Sequence, residues 1–251
     1  MTEVRQLPTR QRIRKALLFI SLLLFPLILY YFSPYLIVMG ASEGVVNGSF
    51  IVFAWMFLSA LFFGRLWCGW GCPAGALQEF GAPINNKPAP GGKFDWIKWF
   101  IIWIPWISVI AIMAIQAGGY RRVDPLYNLE SGLTVNQDFW YPTDYVVVAL
   151  FLVLAVAFGR RAGCHYVCWM APFMILGRKI RNLFRWPALR IKVDPGKCTD
   201  CLRCSRDCPM GLDVHALVQS GSLEHNECIL CGTCIDVCPQ HVKRYSFSAG
   251  K

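Results

Sequence analysis

Long apolar runs, rather than an alternation of apolar and polar positions, dominate the first three quarters of the chain. A helix that crosses a bilayer needs about 20 apolar residues. The runs that approach this length are residues 16–40, 49–66, 96–117 and 145–158. Pro26 and Pro34 predict kinks in the first run, and the fourth is so short that we expect it to continue past Arg161. The pattern predicts four membrane helices.

Basic residues also precede the first run, as they do in a secretory signal peptide, and small residues around Ala41 resemble a cleavage site. The apolar stretch is, however, longer than the roughly 7–15 residues of a signal core. A retained first span is therefore the better interpretation.

Lysine and arginine are concentrated in alternate loops. Five basic residues precede the first run, and residues 159–192 contain eight basic residues and no acid. The basic residues after the second run are Lys87, Lys93 and Lys98. Residues 40–48 carry a single charge, that of Glu43. After the third run, the acids outnumber Arg121 and Arg122; these acids are Asp124, Glu130, Asp138 and Asp144. Because basic loops stay on the cytoplasmic side, we expect both termini in the cytoplasm, beneath the inner membrane.

The composition supports a membrane protein with a small soluble tail. Of 251 residues, 55% are hydrophobic and 16% are charged, against about 25% charged in soluble domains. The net charge of +10 comes from the apolar part, since 19 basic and 8 acidic residues lie up to Lys192, and 6 and 7 follow it. This excludes a disordered chain, a secreted disulfide scaffold and a soluble nucleic-acid binder, whose basic residues would line a polar face.

The tail carries the spacing Cys-x2-Cys-x2-Cys-x3-Cys-Pro twice, starting at Cys198 and Cys228. This is the bacterial spacing for [4Fe–4S] ligation, in which the fourth cysteine of each run serves the other cluster. The predicted sets are Cys198, Cys201, Cys204 and Cys238, and Cys228, Cys231, Cys234 and Cys208. Zinc sites have different spacing, and disulfides are disfavoured in the reducing cytoplasm. We expect His215, His225 and His241 to be surface or packing residues.

The other four cysteines form two CxxxC motifs, Cys68 with Cys72 and Cys164 with Cys168. Each follows a Phe-Gly-Arg triplet at the end of an apolar run, and the motifs are 96 residues apart, which indicates a duplicated two-helix unit. Together they offer four thiolates, enough for an iron–sulfur cluster or a tetrahedral metal. Redox-active thiols within each motif and simple packing are the alternatives.

These features resemble the NapH-type membrane polyferredoxins, within a wider set that includes the C-terminal membrane part of NosR regulators and CcoG. The resemblance rests on four spans, the CxxxC motif followed by Pro73, the second CxxxC and the doubled tail motif. It implies an electron-transfer subunit, not a stand-alone enzyme, working between membrane quinone and ferredoxin-type or cytochrome-type partners. The sequence departs from this wider set in two ways. In the second CxxxC motif the proline is delayed to Pro172, which leaves the role of Cys168 open. The chain also lacks the flavin domain of NosR and the extension of CcoG, which favours a NapH-like role.

The expected architecture is mainly α, with two duplicated helix pairs in the membrane and a small α+β two-cluster domain. Its segments are a basic N-terminus (1–15), the membrane domain (16–176), a basic amphipathic linker (177–192) and the ferredoxin-like domain (193–251). Residues 172–186 predict a helix on the inner leaflet that docks the tail. The polar residues that mark a quinone site by position alone are Arg65, Trp70, Gln78, Glu79, Arg160, Arg161 and His165. Structural roles, as snorkelling arginines, an interfacial tryptophan or polar loop residues, explain each of them better.

We therefore expect a relay that splits the electron pair of a quinol between single-electron clusters. The alternative is a maturation or regulatory protein that uses the same clusters to reduce a metal or a disulfide in a client.

Overall fold

A computed structural model describes residues 7–81, 84–89, 92, 94–129 and 142–250, with side chains from residue 145 onward in the last range. Part of the basic N-terminus, Lys93, Glu130, Asp138 and the side chain of Asp144, all used in the charge argument above, lie outside the described residues. The described chain is mainly helical with two small sheets, which confirms the predicted mainly α class.

The described residues contain twelve α-helices. They are α1 Thr9–Ile28, α2 Pro34–Ser42, α3 Gly48–Phe63, α4 Leu66–Trp70, α5 Pro73–Phe80, α6 Ile104–Gln116, α7 Pro142–Phe158, α8 Ala162–Tyr166, α9 Ala171–Phe184, α10 Arg203–Arg206, α11 Val214–Gln219 and α12 Thr233–Asp236. The strands are β1 Val45–Asn47, β2 Arg122–Asp124, β3 Ala188–Val193 and β4 Lys243–Ser248. β1 pairs with β2 in parallel, and β3 pairs with β4 antiparallel.

Two apolar helical segments are long enough to cross a bilayer, Thr9–Ser42 and Lys98–Gln116. The first is interrupted by a 3-10 turn, Leu29–Phe32, which lies between Pro26 and Pro34. This break falls between the two positions where the sequence predicts kinks. The second segment opens with a π-helical stretch and continues as α6, in which no residue is buried.

The second and fourth apolar runs form the shorter helices α3 and α7. The expected extension of the fourth run past Arg161 is wrong, because α7 ends at Phe158. Gly159 then adopts a φ of +101°, and a side chain there would overlap the carbonyl oxygen of Lys87. Only glycine adopts this conformation at such close range without strain, so the chain turns here into α8.

Loops for which the charge pattern predicts the same side of the membrane lie together. At one end, β1 and β2 join the loop before α3 to the loop after α6. At the other end, the backbone N–H of Arg160 donates to the Lys87 carbonyl at 2.8 Å, beside a bridge between Pro88 and Arg160. Each pair of equivalent loops is therefore joined by backbone hydrogen bonds.

The predicted linker, residues 177–192, covers the end of one helix and most of one strand. Its first half continues α9, which packs along α3 with Gly177 against the backbone of Phe57, and its second half is part of β3, which pairs with the end of the chain. The helix predicted over residues 172–186 is present as α9, but its Arg178 and Arg181 are buried rather than exposed to lipid headgroups. Lipid headgroups could contact these two guanidinium groups only if the side chains were exposed.

The carboxylate of Glu224 joins the tail to α9. Glu224 accepts from Arg178 at 2.6 Å, from Arg181 at 3.1 Å and from Arg190 at 3.0 Å. Burial opposes the charge on Glu224, but these guanidinium groups still hold the pKa of its carboxyl below the ordinary value. Glu224 therefore joins the tail to the helical part through charges that water only partly screens.

We predict that Glu224→Gln lowers the free energy of unfolding by about 2 kcal/mol, because it leaves buried cations without their anion. Since the pKa is lowered in the folded state, the contribution of Glu224 is present above the unfolded value near 4.5 and disappears as the pH falls through the folded value. Thermal unfolding in detergent between pH 3 and pH 7 measures both effects. Asp194→Asn, in an exposed pair with Lys197, is the control and should change little; equal losses in the two variants would contradict the prediction.

Candidate metal centres

The eight tail cysteines line two cavities, four to each. The outer site, as we call it, is lined by Cys198, Cys201, Cys204 and Cys238. The inner site is lined by Cys208, Cys228, Cys231 and Cys234. These groups coincide with the two sets that the spacing predicts, including the exchange of the fourth cysteine between the runs.

Both runs have the same backbone conformation. The second and fourth residues after the first cysteine have positive φ angles, Asp200 and Leu202 in one run and Leu230 and Gly232 in the other. The short helices α10 and α12 begin directly after these turns. The left-handed residues curl each run so that its cysteines line one cavity. Spacing predicts this grouping, but nothing in the sequence marks Leu202 or Leu230 as left-handed.

The last cysteine of each run accepts from backbone N–H groups two and four positions later. For Cys208 these belong to Met210 and Leu212, and for Cys238 to Gln240 and Val242. Burial nevertheless raises the pKa of Cys208 to about 12. For the less buried Cys238, the N–H groups and Lys243 outweigh burial and hold the pKa below its ordinary value. Both sulfur atoms are thus surrounded by donors suited to a negative charge.

The chemistry of these donor sets fits iron–sulfur clusters. Burial raises the pKa of Cys228 and of Cys234, so these thiols ionise only beside a positive charge, and a bound metal supplies one. The described cysteines form no disulfide. Four converging thiols per cavity match the four ligands that a [4Fe–4S] cluster takes, and ligation by these residues stays a prediction.

The two tail sites differ in exposure. All four inner cysteines are buried, whereas Cys198 is half-buried and Cys201 is exposed in the outer site. Nearby, Asp200 accepts from His215 and lies within reach of Cys198. The outer site therefore has a cysteine at the protein surface, while the cysteines of the inner site are all buried.

The structure brings the remaining four cysteines together in the apolar core, in what we call the membrane-side site. Its members, all at most 5% exposed, are Cys68, Cys72, Cys164 and Cys168. They are close enough to interact electrostatically with one another. Cys68 also lies 3.8 Å from the sulfur of Met174, and Gln78 Nε2 donates to Cys164 at 3.4 Å.

The duplication has a different register from the one that the Phe-Gly-Arg triplets indicate. Arg65 and Arg161, not Arg160, occupy the position before the short helices α4 and α8 that carry Cys68 and Cys164. Both arginines are fully buried, whereas Arg160 donates to the carbonyl of Arg206. The second motif has one more residue between its triplet and its first cysteine, which explains the shift.

Cys168 remains equivalent to Cys72 despite the delayed proline. Each accepts from the backbone N–H three positions later, that of Gly75 for Cys72 and that of Ala171 for Cys168. Pro73 and Pro172 each stand in the first turn of the helix that follows. The proline thus marks where the helix begins, and its position does not remove Cys168 from the site.

The membrane-side site touches the inner site directly. A Cβ at Gly69 would overlap the Ile229 carbonyl oxygen and lie 3.4 Å from the Cys231 backbone. Trp70 Nε1 donates to the Leu230 carbonyl at 3.0 Å. The loop between Cys68 and Cys72 is therefore packed against the loop between two inner cysteines, and glycine at position 69 permits this approach.

Each polar residue that position marked as a quinone-site candidate has a partner within the protein. These residues are Arg65, Trp70, Gln78, Glu79, Arg160, Arg161 and His165. The snorkelling role is wrong for Arg65 and Arg161, because both are fully buried. Sequence reasoning also missed Lys98, which is buried and donates to Glu227 at 2.6 Å; its place at the start of an apolar run was the only available signal.

Comparisons with known proteins agree with this geometry. A family model described as a 4Fe-4S binding domain matches residues 46–88 and 142–187, which contain the two CxxxC motifs, and one described as a 4Fe-4S dicluster domain matches residues 197–242. No solved structure matches the chain.

Three relatives illustrate the similarity. YccM of Escherichia coli, whose name assigns it to electron transport, is 25% identical over 82% of this chain, and the regulatory protein NosR of Stutzerimonas stutzeri is 27% identical over 73%. The ferredoxin-type protein NapH of Haemophilus influenzae is 28% identical over 41%. The matches span 57% of YccM, 25% of NosR and 36% of NapH. The chain belongs to the ferredoxin-type family of membrane proteins with 4Fe-4S domains that includes these relatives.

Proposed function

We propose that this protein is a membrane-anchored electron relay between the quinone pool and a redox partner. The observation that carries the proposal is the succession of three sets of four cysteines, from the membrane-side site through the inner site to the outer site. The membrane-side segment contacts the inner one at Gly69, the inner and outer sets exchange their fourth cysteine, and only the outer set contains an exposed cysteine. Such a succession is suited to moving single electrons from lipid to the cytoplasmic surface.

Four apolar helices form the anchor in this proposal. α6 contains no buried residue, and apolar side chains such as Ile112 and Ile115 are exposed. A core helix of a soluble protein would bury these side chains, and an apolar surface of this kind indicates contact with lipid. The basic loops orient the anchor with both termini on the cytoplasmic side of the inner membrane.

Two [4Fe–4S] clusters are the cofactors that we assign to the tail, one to each set of cysteines. When bound, such clusters accept and donate single electrons at potentials that the protein sets. The inner cysteines hold their group away from water, and Cys201 brings the outer group to the surface where a ferredoxin-type or cytochrome-type partner can dock. The membrane-side cysteines are the proposed ligands of a third metal centre, with redox-active thiols as the alternative.

An apolar cleft with a volume of about 50 Å³ lies between α1, α5 and α7, so a ring-sized ligand enters it only if the side chains that line it move apart. It is lined by Pro73 and Trp169, which directly follow Cys72 and Cys168, and by Val148 on α7. We assign this cleft to the quinone. A quinone here would lie beside the membrane-side cysteines and remain accessible from the lipid.

Iron analysis of anaerobically purified protein tests the number of centres. We expect about eight iron atoms from the tail, and two to four more if the membrane-side site holds an iron–sulfur cluster. Cys68→Ala and Cys164→Ala should then lose only the excess. Met56→Leu, a substitution in the same buried core, is the control. Eight iron atoms in every variant would eliminate the third cluster and leave the thiol alternative.

The contact at Gly69 tests the order of the sites. We predict that Gly69→Ala slows electron transfer to the tail at least tenfold while the iron content stays unchanged, because the new Cβ forces the Ile229–Cys231 loop away. Gly196→Ala, where a Cβ meets only Asp194 within 4 Å, should transfer electrons at the normal rate. Stopped-flow reduction followed by cluster absorbance measures this, and equal rates in both variants would rule out this route.

Quinol titration tests the quinone assignment. Val148→Phe should weaken reduction of the tail clusters by quinol at least tenfold, because the larger side chain fills the cleft. Val153→Phe, on the same helix but exposed, should not. The regulatory alternative, to which the name of NosR draws attention, predicts a different result: quinol would leave all clusters oxidised while a client thiol or metal is reduced.

A further inference from the structure

Arg65 and Arg161 stand in equivalent positions on either side of the membrane-side site. Each precedes the short helix that carries the first cysteine of its motif, and each side chain is fully buried. Arg161 Nη1 donates to the carbonyl of Cys68 at 2.9 Å and approaches the sulfur of Cys164 at 3.9 Å. Arg65 lies beside Cys68 and Cys168. A guanidinium thus borders the thiols from each half of the duplication.

Neither arginine is needed to neutralise the carboxylate with which it pairs. Arg65 bonds Glu227 at 2.7 Å, but Lys98 also donates to Glu227 at 2.6 Å. Arg161 pairs with Glu79, but Arg14 also donates to Glu79 at 2.9 Å. Each carboxylate would keep one cation if its arginine were replaced.

The charges around the site therefore have a positive excess. Four cations pair with two carboxylates: Arg14 and Arg161 with Glu79, and Arg65 and Lys98 with Glu227. Asp95 is the third acid in the network; it contacts Lys98 at 4.0 Å and bonds His165. Four cations against three carboxylates leave at least one positive charge without a partner. Burying such a charge is unfavourable unless an anion lies nearby, and neutral thiols do not provide one.

Two of the three donor nitrogen atoms of Arg65 also lack partners. Its Nε and Nη2 atoms are buried and have no hydrogen-bond partner among the described residues. An unsatisfied buried donor costs about 1–3 kcal/mol, and more when it is charged. Arg65 Nη1, by contrast, is bonded to Glu227 and to the carbonyl of Asn226. The unsatisfied atoms belong to a guanidinium that adjoins Cys68, where the sulfur atoms of an anionic metal centre would accept them.

We propose that Arg65 and Arg161 neutralise a thiolate-bound metal centre at Cys68, Cys72, Cys164 and Cys168 and raise its reduction potential. This inference rests on the third centre of the proposed function. Hydrogen bonds to cluster sulfur and nearby charge set the potential of such a centre, and a cation favours the more negative, reduced state. The two arginines thus make the membrane-side site easier to reduce than it would be without them.

An ion pair that only holds the helices together would explain the pairing with Glu227 and Glu79, but not the cationic excess or the unsatisfied donors. The two roles differ in one measurable property. A structural pair contributes to stability and leaves the potential of a neighbouring centre unchanged in any variant that still folds, whereas a tuning residue shifts that potential.

The experiment is an EPR-monitored redox titration of the full chain, purified anaerobically in detergent. The membrane-side signal is identified as the one that disappears in Cys68→Ser and Cys164→Ser. Arg65→Met and Arg161→Met should each lower its potential by at least about 59 mV, a tenfold change in a one-electron equilibrium. Arg65→Lys keeps the charge and loses the fork of donors, so its shift should be smaller and in the same direction.

The outer-site signal serves as the check on folding and should keep its potential in all variants. Arg181→Met is the matched control, because Arg181 is equally buried and paired with a carboxylate, Glu224, in the same part of the protein. An unchanged membrane-side potential in the Arg65 and Arg161 variants would overturn this inference alone. Absence of any signal that depends on Cys68 and Cys164 would overturn it together with the third centre, while the two tail clusters of the proposed relay would stand.

Discussion

A buried thiol ionises only where positive charge is at hand, and most of the cysteines in this protein are buried. Eleven are half-buried or buried, and Cys201 is the exposed one. In the tail, positive charge comes from the metal that each set of four is suited to bind and from backbone N–H groups aimed at Cys208 and Cys238. Among the apolar helices, where backbone donors are fewer, it also comes from arginine side chains. In this proposal, compensation of sulfur charge accounts for Arg65 and Arg161, whereas other buried cations, Lys98, Arg178 and Arg181, pair with Glu227 and Glu224.

The same cations join the two parts of the molecule. Glu227 stands directly before the first cysteine of the inner site and bonds to Arg65 and Lys98 from the helical part. Glu224, three residues earlier, bonds to Arg178 and Arg181 of α9. Because these pairs are largely shielded from water, they hold the tail in one orientation better than exposed pairs would. That orientation brings the Ile229–Cys231 loop onto Gly69 and puts the sets of cysteines in sequence.

Duplication accounts for much of this architecture. The two tail runs repeat one backbone conformation, and the two CxxxC segments repeat a short helix preceded by a buried arginine. Neither half of either repeat supplies a complete set of four ligands, so each site forms only when the halves meet. Assembly of the sites and folding of the two domains are therefore coupled, and the proposed metal centres would contribute directly to stability.

The sequence by itself determined the mainly helical class, the apolar runs, the grouping of the eight tail cysteines and the family, because these depend on spacing and composition, which are local. It indicated the CxxxC duplication, but the Phe-Gly-Arg triplets pointed to Arg160 as the counterpart of Arg65. The counterpart is Arg161, because the second motif has one more residue between its triplet and its first cysteine. Only the tertiary structure decided that Arg65 and Arg161 are buried beside sulfur, that Arg178 and Arg181 of α9 are buried against Glu224 of the tail, and that Gly69 touches the inner loop. Each of these depends on residues that are distant in the chain, such as Arg65 and Glu227, whose attraction acts only once the helices have packed and water has been removed from between them.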